Sequence, residues 1–317
     1  MMKILVAYDG SEGANAALKD LQQAGLPREA EGLLVSVADV MMTPETSKYE
    51  LAGQALVSRR FTSGLMYAER QATRVHQEAR EFASQGSARL RSLFPSWSVR
   101  SEVLTGTAWS ELIRKANEWE PDLVVLGSQG RTALGRFVLG SVSKKVATAS
   151  NYSVRVAREP AADRLNKPPR IMIAVDGSVE SERAIREVGS RVWPAGTEVR
   201  IIFVDEGVSL QSLSPIAPST PELIDEEKTL TARNLVHWAQ SELSAIGLDT
   251  SSYIDKGDPK TVLIEKAIEW NVDSIFVGAR RFTSAFERFW LGSVSTALVT
   301  KAHSSIEVVR ARATNGL

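Results

Sequence analysis

The sequence predicts an α/β protein of two tandem domains, each a five-stranded parallel sheet flanked by helices, and three observations carry that expectation. Gly-Ser-Val-Ser stands at Gly140–Ser143 and again at Gly292–Ser295, each time behind an apolar run that ends in glycine, at Gly127 and at Gly278. Strand-like runs alternate with helical periodicity through both halves, and the runs are apolar at consecutive positions, as strands covered on both faces are. At 317 residues the chain also suits two domains of ordinary size, each able to bury its own core.

Each half opens in the same way. Lys3 to Tyr8 is an apolar β-run that turns at Asp9-Gly10-Ser11 into a helical pattern through Ala14, Ala17, Leu18 and Leu21. Arg170 to Val175 turns likewise at Asp176-Gly177-Ser178 into Ala184, Ile185 and Val188. The second strands align Leu33–Ala38 with Arg200–Asp205. Val99 to Leu104 reaches Gly106 before a helix through Leu112, Ile113 and Ala116, while Ser252 to Ile254 reaches Gly257 before Val262, Ile264 and Ala267. Asp122–Gly127 and Asp273–Gly278 supply a further buried strand, followed by the glycine loop and a helix starting at Gly-Ser-Val-Ser. Val154–Ala157 and Ile306–Val309 close the two halves. Five strands and four helices per half are therefore expected.

Arg158 to Pro169 is polar and proline-rich, as linkers are, and divides the chain into a first domain at 1–159, a linker at 160–169 and a second domain at 170–312. The first half is longer, with its surplus between Ala38 and Gly64, a segment holding Met41, Met42, Pro44, Arg59 and Arg60. Two readings are open for it, a long loop or partly helical flap over a site and a surface insertion.

Composition narrows the function classes. Lys and Arg balance Asp and Glu at 38 each, which lacks the basic footprint of a nucleic-acid binder. No apolar stretch approaches the roughly 20 residues of a membrane span, and the start lacks the pattern of a signal peptide, so a cytoplasmic protein is expected. The absence of cysteine excludes disulfides, thiolate catalysis and Cys-ligated metals. The three histidines, His76, His237 and His303, stand apart without carboxylates at ligand spacing, so neither a metal site nor a catalytic residue is assigned. Trp109, Trp119, Trp238, Trp270 and Trp290 lie in helical patterns and suit core or interface, and Trp290 also suits a cover over the second cleft.

The chemistry lies in the repeated turns. In an open parallel sheet, ligands bind beyond the carboxyl ends of the strands, where Asp9 and the Gly127–Gly130 turn stand. Gly127 and Gly130 let the backbone come close to a sugar or phosphate, because neither has a Cβ. Gly140-Ser141-Val142-Ser143 opens a helix whose unpaired N–H groups attract an anion. A lone Gly-Ser would read as a helix N-cap, but coupled to both turns it reads as a phosphate cradle. It is not a Walker A loop, for Gly-Lys-Ser/Thr is missing, and it does not match Gly-x-Gly-x-x-Gly. Lys144 and Lys145 suit a solvated helix face.

These residues resemble the universal stress protein family. Its ATP-binding members show Gly-x-x-Gly, nine residues, then Gly-Ser/Thr, and Gly127, Gly130, Gly140 and Ser141 reproduce that pattern in full, with Asp9 and Ser11 matching the strand-one Asp-x-Ser. The resemblance covers nearly the whole chain as a tandem pair and implies two Rossmann-like universal-stress domains. It implies an adenine-nucleotide site for ATP with Mg2+: Asp9 and Val37 beside the adenine, Gly127 and Gly130 along the ribose and phosphates, and Gly140, Ser141, Val142 and Ser143 around the triphosphate. It also implies pairing of the closing strands, which makes one chain a pseudo-dimer, and leaves room for a homodimer of whole chains.

The second half departs from the pattern. Asp176, Ser178, Gly278, Gly292, Ser293 and Ser295 persist, but Arg281 replaces the middle glycine and the loop to Gly292 is one residue longer. Arg280 or Arg281 either fills the cleft or holds a phosphate, and the preferred role of this half is a packing partner. The expected function is thus a stress-response protein that binds ATP in its first half and hydrolyses it slowly or not at all, since the motif brings neither a base nor an arginine finger. Two other classes stay open, an adenine-nucleotide hydrolase or phosphotransfer enzyme and a nucleotide-free interaction module.

Overall fold

The computed structural model describes residues 1–39, 59–130, 139–161, 163–164, 167–207, 221–279 and 291–311, with the backbone alone at 59–68 and 221–228. The first half runs β1 (Met2–Ala7), α1 (Glu12–Asp20) with a short 3-10 turn at Leu21–Gln23, β2 (Ala30–Ala38), α2 (Arg59–Leu93), β3 (Ser98–Thr105), α3 (Ala108–Trp119), β4 (Leu123–Gly127), α4 (Ser141–Ala149) and β5 (Ser153–Ala157). The second runs β6 (Arg170–Val175), α5 (Val179–Gly189), β7 (Glu198–Asp205), α6 (Pro221–Ala245), β8 (Asp249–Lys256), α7 (Pro259–Glu269), β9 (Ser274–Gly278), α8 (Ser293–Lys301) and β10 (Ser305–Val309). The expected five strands and four helices per half are therefore present among the described residues.

All ten strands join in one sheet, ordered β3-β2-β1-β4-β5-β10-β9-β6-β7-β8. Within each half every pair is parallel, because each strand returns through a helix on a sheet face. β5 and β10 alone pair antiparallel, with Ile306 opposite Val156, Glu307 opposite Arg155 and Val308 opposite Val154. The two halves thus meet edge to edge about a pseudo-two-fold axis, which is the intrachain pseudo-dimer expected from the closing strands.

Strand alternation divides the core between the two faces. Leu5, Val124, Val146, Val154, Met172, Leu298 and Ile306 belong to one apolar cluster that runs through both halves. Their neighbours face the other way. Ile4, Val6, Leu18, Leu34 and Leu90 form a cluster in the first half, and Ile171, Ile173, Ile185, Ile201 and Phe276 form one in the second. One face therefore fastens the halves together while the other keeps a core for each.

The linker is more than a solvated tether. Arg164 is buried, and its guanidinium donates to Asp273 (Nη2 to Oδ2, 2.9 Å) and to the Pro168 carbonyl at 2.6 Å. Its carbonyl accepts from Gln23 at 3.2 Å. The expected strand at Ser252–Ile254 is the centre of a longer edge strand, whose polar ends hid it from an apolar-run reading. Of the long segment at Ala38–Gly64, Arg59–Gly64 form the first turns of α2, while Met41, Met42 and Pro44 lie outside the described residues.

Candidate functional site

β1 ends at Ala7, and Tyr8 and Asp9 carry the chain beyond the sheet to Gly10, whose φ of 77° suits glycine. Ser11 then caps α1, accepting from the Ala14 N–H at 3.1 Å, while its own N–H donates to Asp9 Oδ1 at 3.1 Å. That turn fixes the carboxylate and leaves Oδ2 aimed at Gly130, where a Cβ would stand 3.2 Å away and meet no other of the described residues within 4 Å. Tyr8, behind Asp9, donates its hydroxyl to Asn15 at 2.7 Å, and Arg89 holds the same Asn15. Burial keeps the phenol above its ordinary pKa against the pull of Arg89.

The glycines divide into two kinds. A Cβ on Gly127 would collide with the backbone of Gly13 and Ala14, so this glycine lets α1 press on the end of β4. Gly278 does the same in the second half, against Glu180 and Ser181. Gly130 instead meets only Asp9 among the described residues. Gly13 was not singled out from the sequence, yet a Cβ there would collide with the Gln129 carbonyl. The loop that carries Gly130 therefore lies directly on Gly13, and the signal was present in the run Asp9-Gly10-Ser11-Glu12-Gly13.

α4 begins at Ser141 with Gly140 as its N-cap and no side chain capping it. Gly140 N–H donates to the Ser128 carbonyl at 2.7 Å, which ties the helix start to the glycine loop. The N–H groups of Ser141, Val142 and Ser143 have no acceptor among the described residues, as a first helical turn requires. Ser143 is buried, and its hydroxyl donates to the Gly127 carbonyl at 2.6 Å, so it braces the strand end with its side chain and offers only its N–H outward. Lys144 and Lys145 are exposed, and Lys145 lies over the Trp109 ring, 5.1 Å from its centroid, as a solvated-face reading expects. Val37 is half-buried at the end of β2, beside Leu104 of β3. The strand registers support its alignment with Val204, since Leu5 pairs with Leu33 and Met172 with Arg200. Asp9, Gly130 and the first turn of α4 thus stand together at the carboxyl ends of β1 and β4, and Val37 ends the neighbouring strand.

The second half repeats the frame and changes the contents. Ser178 caps α5, but its hydroxyl donates to Asp176 Oδ1 at 2.6 Å, whereas the Ser11 hydroxyl points to the Gln129 carbonyl at 3.4 Å. Glu180 stands where the first half has Gly13. A cavity of about 1120 Å³ opens there, with Ala174, Val204, Leu235 and Leu263 among its apolar lining residues and Asp176, Glu180, Asp205 and Glu206 among its polar ones. Gly292, Ser293 and Ser295 also line it. Arg280, Arg281 and Trp290 lie outside the described residues. Among the described residues no group of three His, Asp or Glu side chains is placed to hold a metal ion, and no helix is long and apolar enough to cross a membrane.

The chain is thus a tandem pair of parallel α/β domains, each with an aspartate turn and a helix start without a side-chain cap at its strand ends. The family model described as "Universal stress protein family" matches residues 1–158 and again 168–310. The chain therefore belongs to the universal stress protein family. Universal stress protein Rv1996 of Mycobacterium tuberculosis is 23% identical over 321 residues, covering 97% of this chain and 94% of the relative. Universal stress protein MJ0531 of Methanocaldococcus jannaschii is 24% identical over 163 residues, 50% of this chain and 82% of the relative. A universal stress protein from Archaeoglobus fulgidus shares the fold, with a TM-score of 0.63 at 19% identity, over 97% of this chain and 98% of that one.

Proposed function

We propose that the first half binds an adenine nucleotide, ATP with magnesium, and that binding biases the conformation or partners of a cytoplasmic stress-response protein. The observation that supports this reading best is Gly130, whose one close neighbour among the described residues is Asp9, set beside a helix start whose N–H groups have no acceptor among the described residues. In this reading Asp9 and Val37 face the adenine. Gly127 and Gly130 follow the ribose and phosphates, and the N–H groups of Ser141, Val142 and Ser143 receive the triphosphate. The Ser143 hydroxyl is already committed to Gly127, so it holds the cradle in shape instead of donating to phosphate. Magnesium arrives on the phosphates, since this ion keeps most of its waters and needs no preformed cage. Asp9 is held by Ser11 at one oxygen, which suits a positioning group better than a mobile base.

Nucleotide release from freshly purified protein tests this. Wild-type chain, denatured by heat and chromatographed, is expected to yield one adenine nucleotide per chain, and Gly130→Arg none. That variant places a side chain with a cation against Asp9. No nucleotide from either protein, with no binding of added ATP and magnesium, would sink the reading in favour of an interaction module. Multiple turnover that Asp9→Ala abolishes would favour the hydrolase.

A further inference from the structure

Arg155 and Glu307 are the centres of β5 and β10, and they stand directly opposite one another in the antiparallel pair. They are also equivalent residues of the two halves, because Gly127 pairs with Ala157 and Gly278 with Val309. The pseudo-two-fold axis therefore passes between them. Both side chains are fully buried. A symmetric pairing of two identical edges would put like residues at this point, yet the chain puts an arginine on one strand and a glutamate on the other.

The surroundings extend the asymmetry. Arg155 holds Asp20 of α1 with two bonds, Nε to Oδ2 at 2.6 Å and Nη2 to Oδ1 at 3.0 Å. Its other bonds cross the axis, to Glu307 at 3.2 Å and to the Ser274 hydroxyl at 2.6 Å. Ser274 occupies the place in β9 that Leu123 occupies in β4. A second first-half edge would offer Arg155 only another arginine and a leucine. Glu307 accepts from Arg155 and from Arg191 of its own half, Nη1 at 3.0 Å. Burial pushes the Glu307 carboxyl above its ordinary pKa against the pull of both arginines, so a second buried glutamate in place of Arg155 would leave it worse placed still.

Around this centre the contacts are symmetric. The Arg158 N–H donates to Ser305 Oγ at 2.9 Å, and the Arg310 N–H donates to Ser153 Oγ at 3.1 Å. The Arg158 guanidinium reaches the Val299 carbonyl of α8 at 3.0 Å, and that of Arg310 reaches the Ala147 carbonyl of α4 at 2.7 Å. Each arginine thus meets the negative end of the other half's last helix. Those contacts would survive in a pairing of like halves. Among the described residues, the axial cluster and the adjoining contacts of Arg191 and Val192 with Ala24 and Gly25 distinguish like from unlike.

We infer that this edge is a heterotypic recognition surface: the β5 edge fits a β10 edge that carries an acid on the axis and a small hydroxyl beside it, and neither edge fits a copy of itself. Buried charge acts through selectivity in this setting, because a wrong partner leaves an unpaired ion out of water. The partner of each half is therefore the other half of the same chain, and pairing of like halves into chains of molecules is disfavoured at its central contact.

Full-length charge-uniform variants test it. Glu307→Arg makes both axial residues arginine, and Arg155→Glu makes both glutamate. Each alone should lose the stable single-chain form, seen as a fall in melting temperature and in soluble yield. Co-expressed with different tags, the two should purify together in equal amounts, joined at the one edge where Arg155 of one meets Glu307 of the other, while the two substituted edges, which face Asp20 and Arg191 with like charge, stay unpaired. Two tagged wild-type chains should not purify together. Wild-type melting of both single variants would overturn the inference. Arg155→Gln with Glu307→Gln and Asp20→Asn, which also removes the carboxylate that would stay buried without its arginine, separates mispairing from misfolding. If that uncharged chain folds while the charged pair fails even together, or if the uncharged chain itself cannot fold, charge complementarity does not choose the partner and the inference falls.

Discussion

The two halves share a frame and differ in what the frame holds, and glycine makes the difference legible. Gly127 and Gly278 are both kept, because each gives a helix room to cross the strand end. Gly13 and Gly130 are kept only in the first half, where one lets the loop lie down and the other stands beside Asp9. Glu180 and Arg281 replace them together in the second half. The two replacements fall at positions that the first half brings close together, since the loop that carries Gly130 lies on Gly13. Glycines that serve the fold persist, and those that serve the first-half loop do not.

The largest effect expected from breaking this comparison lies at the helix ends that reach the axis. Asp20 and Glu187 occupy the same place after their N-caps, but Asp20 is nearly inaccessible at 4% of its side chain and Glu187 is 25% exposed. Asp20→Ala leaves Arg155 with one carboxylate in a dry site and is expected to cost about 3–5 kcal/mol. Glu187→Ala leaves Arg191 bonded to Glu307 and to the Ala24 carbonyl, and is expected to cost about 1 kcal/mol or less. Denaturant unfolding of both variants checks the ratio. Equal losses would show that burial of the pair does not govern its energetics.

Gly127→Ala and Gly278→Ala come next. Each pushes a methyl group into helix backbone, and each is expected to cost about 1–3 kcal/mol by overpacking. The two losses should match, whatever the nucleotide state, because the contact is the same in both halves. A loss confined to Gly127 would mean that the first-half glycine serves the ligand more than the fold.

The second half also offers a gain. Arg281→Gly alone is expected to leave it without nucleotide, because Glu180 still carries a side chain at the position where Gly13 admits the Gln129 carbonyl in the first half. Glu180→Gly with Arg281→Gly should raise the affinity of that cleft for ATP by about tenfold over the single variant, about 1.4 kcal/mol. Calorimetric titration of a chain that already carries Gly130→Arg isolates this site. An equal gain from Arg281→Gly alone would show that the side chain blocked the cradle and that the loop path did not matter.

Much of this was legible in the sequence because parallel strands and cradle glycines leave local marks. The strand runs, the turns at Asp9 and Asp176 and the helix starts at Gly140 and Gly292 are readable from periodicity and punctuation. β8 was read short because Asp249, Thr250, Asp255 and Lys256 make an edge strand polar at its ends. Arg155 and Glu307 left no local mark at all. A charge in a short β-run reads as solvent-facing, and its meaning appears only when the opposite strand, Asp20 and Arg191 arrive from distant parts of the chain. Gly13 lay in plain view but looked like one more helix residue, because its collision partner, Gln129, comes from the far end of the domain.

The smallest expected difference concerns the two capping serines. Ser11 and Ser178 each accept one N–H of the first helical turn, at 3.1 Å from Ala14 and 3.2 Å from Ser181. Either serine changed to alanine should cost about 1 kcal/mol of stability, and changed to glycine only a few tenths. Nucleotide affinity separates them. Ser11 steadies Asp9 through its N–H, which the substitutions keep, and touches the Gln129 carbonyl through its hydroxyl, which they remove. Ser11→Ala should therefore loosen the loop that carries Gly130 and weaken ATP by about threefold, about 0.7 kcal/mol. Ser178→Ala should leave first-half affinity unchanged, since its hydroxyl bonds to Asp176 and reaches no part of that loop. If both serines moved affinity alike, the effect would belong to the stability of the whole sheet, and the distinction between a ligand-holding half and a packing half would lose its simplest support.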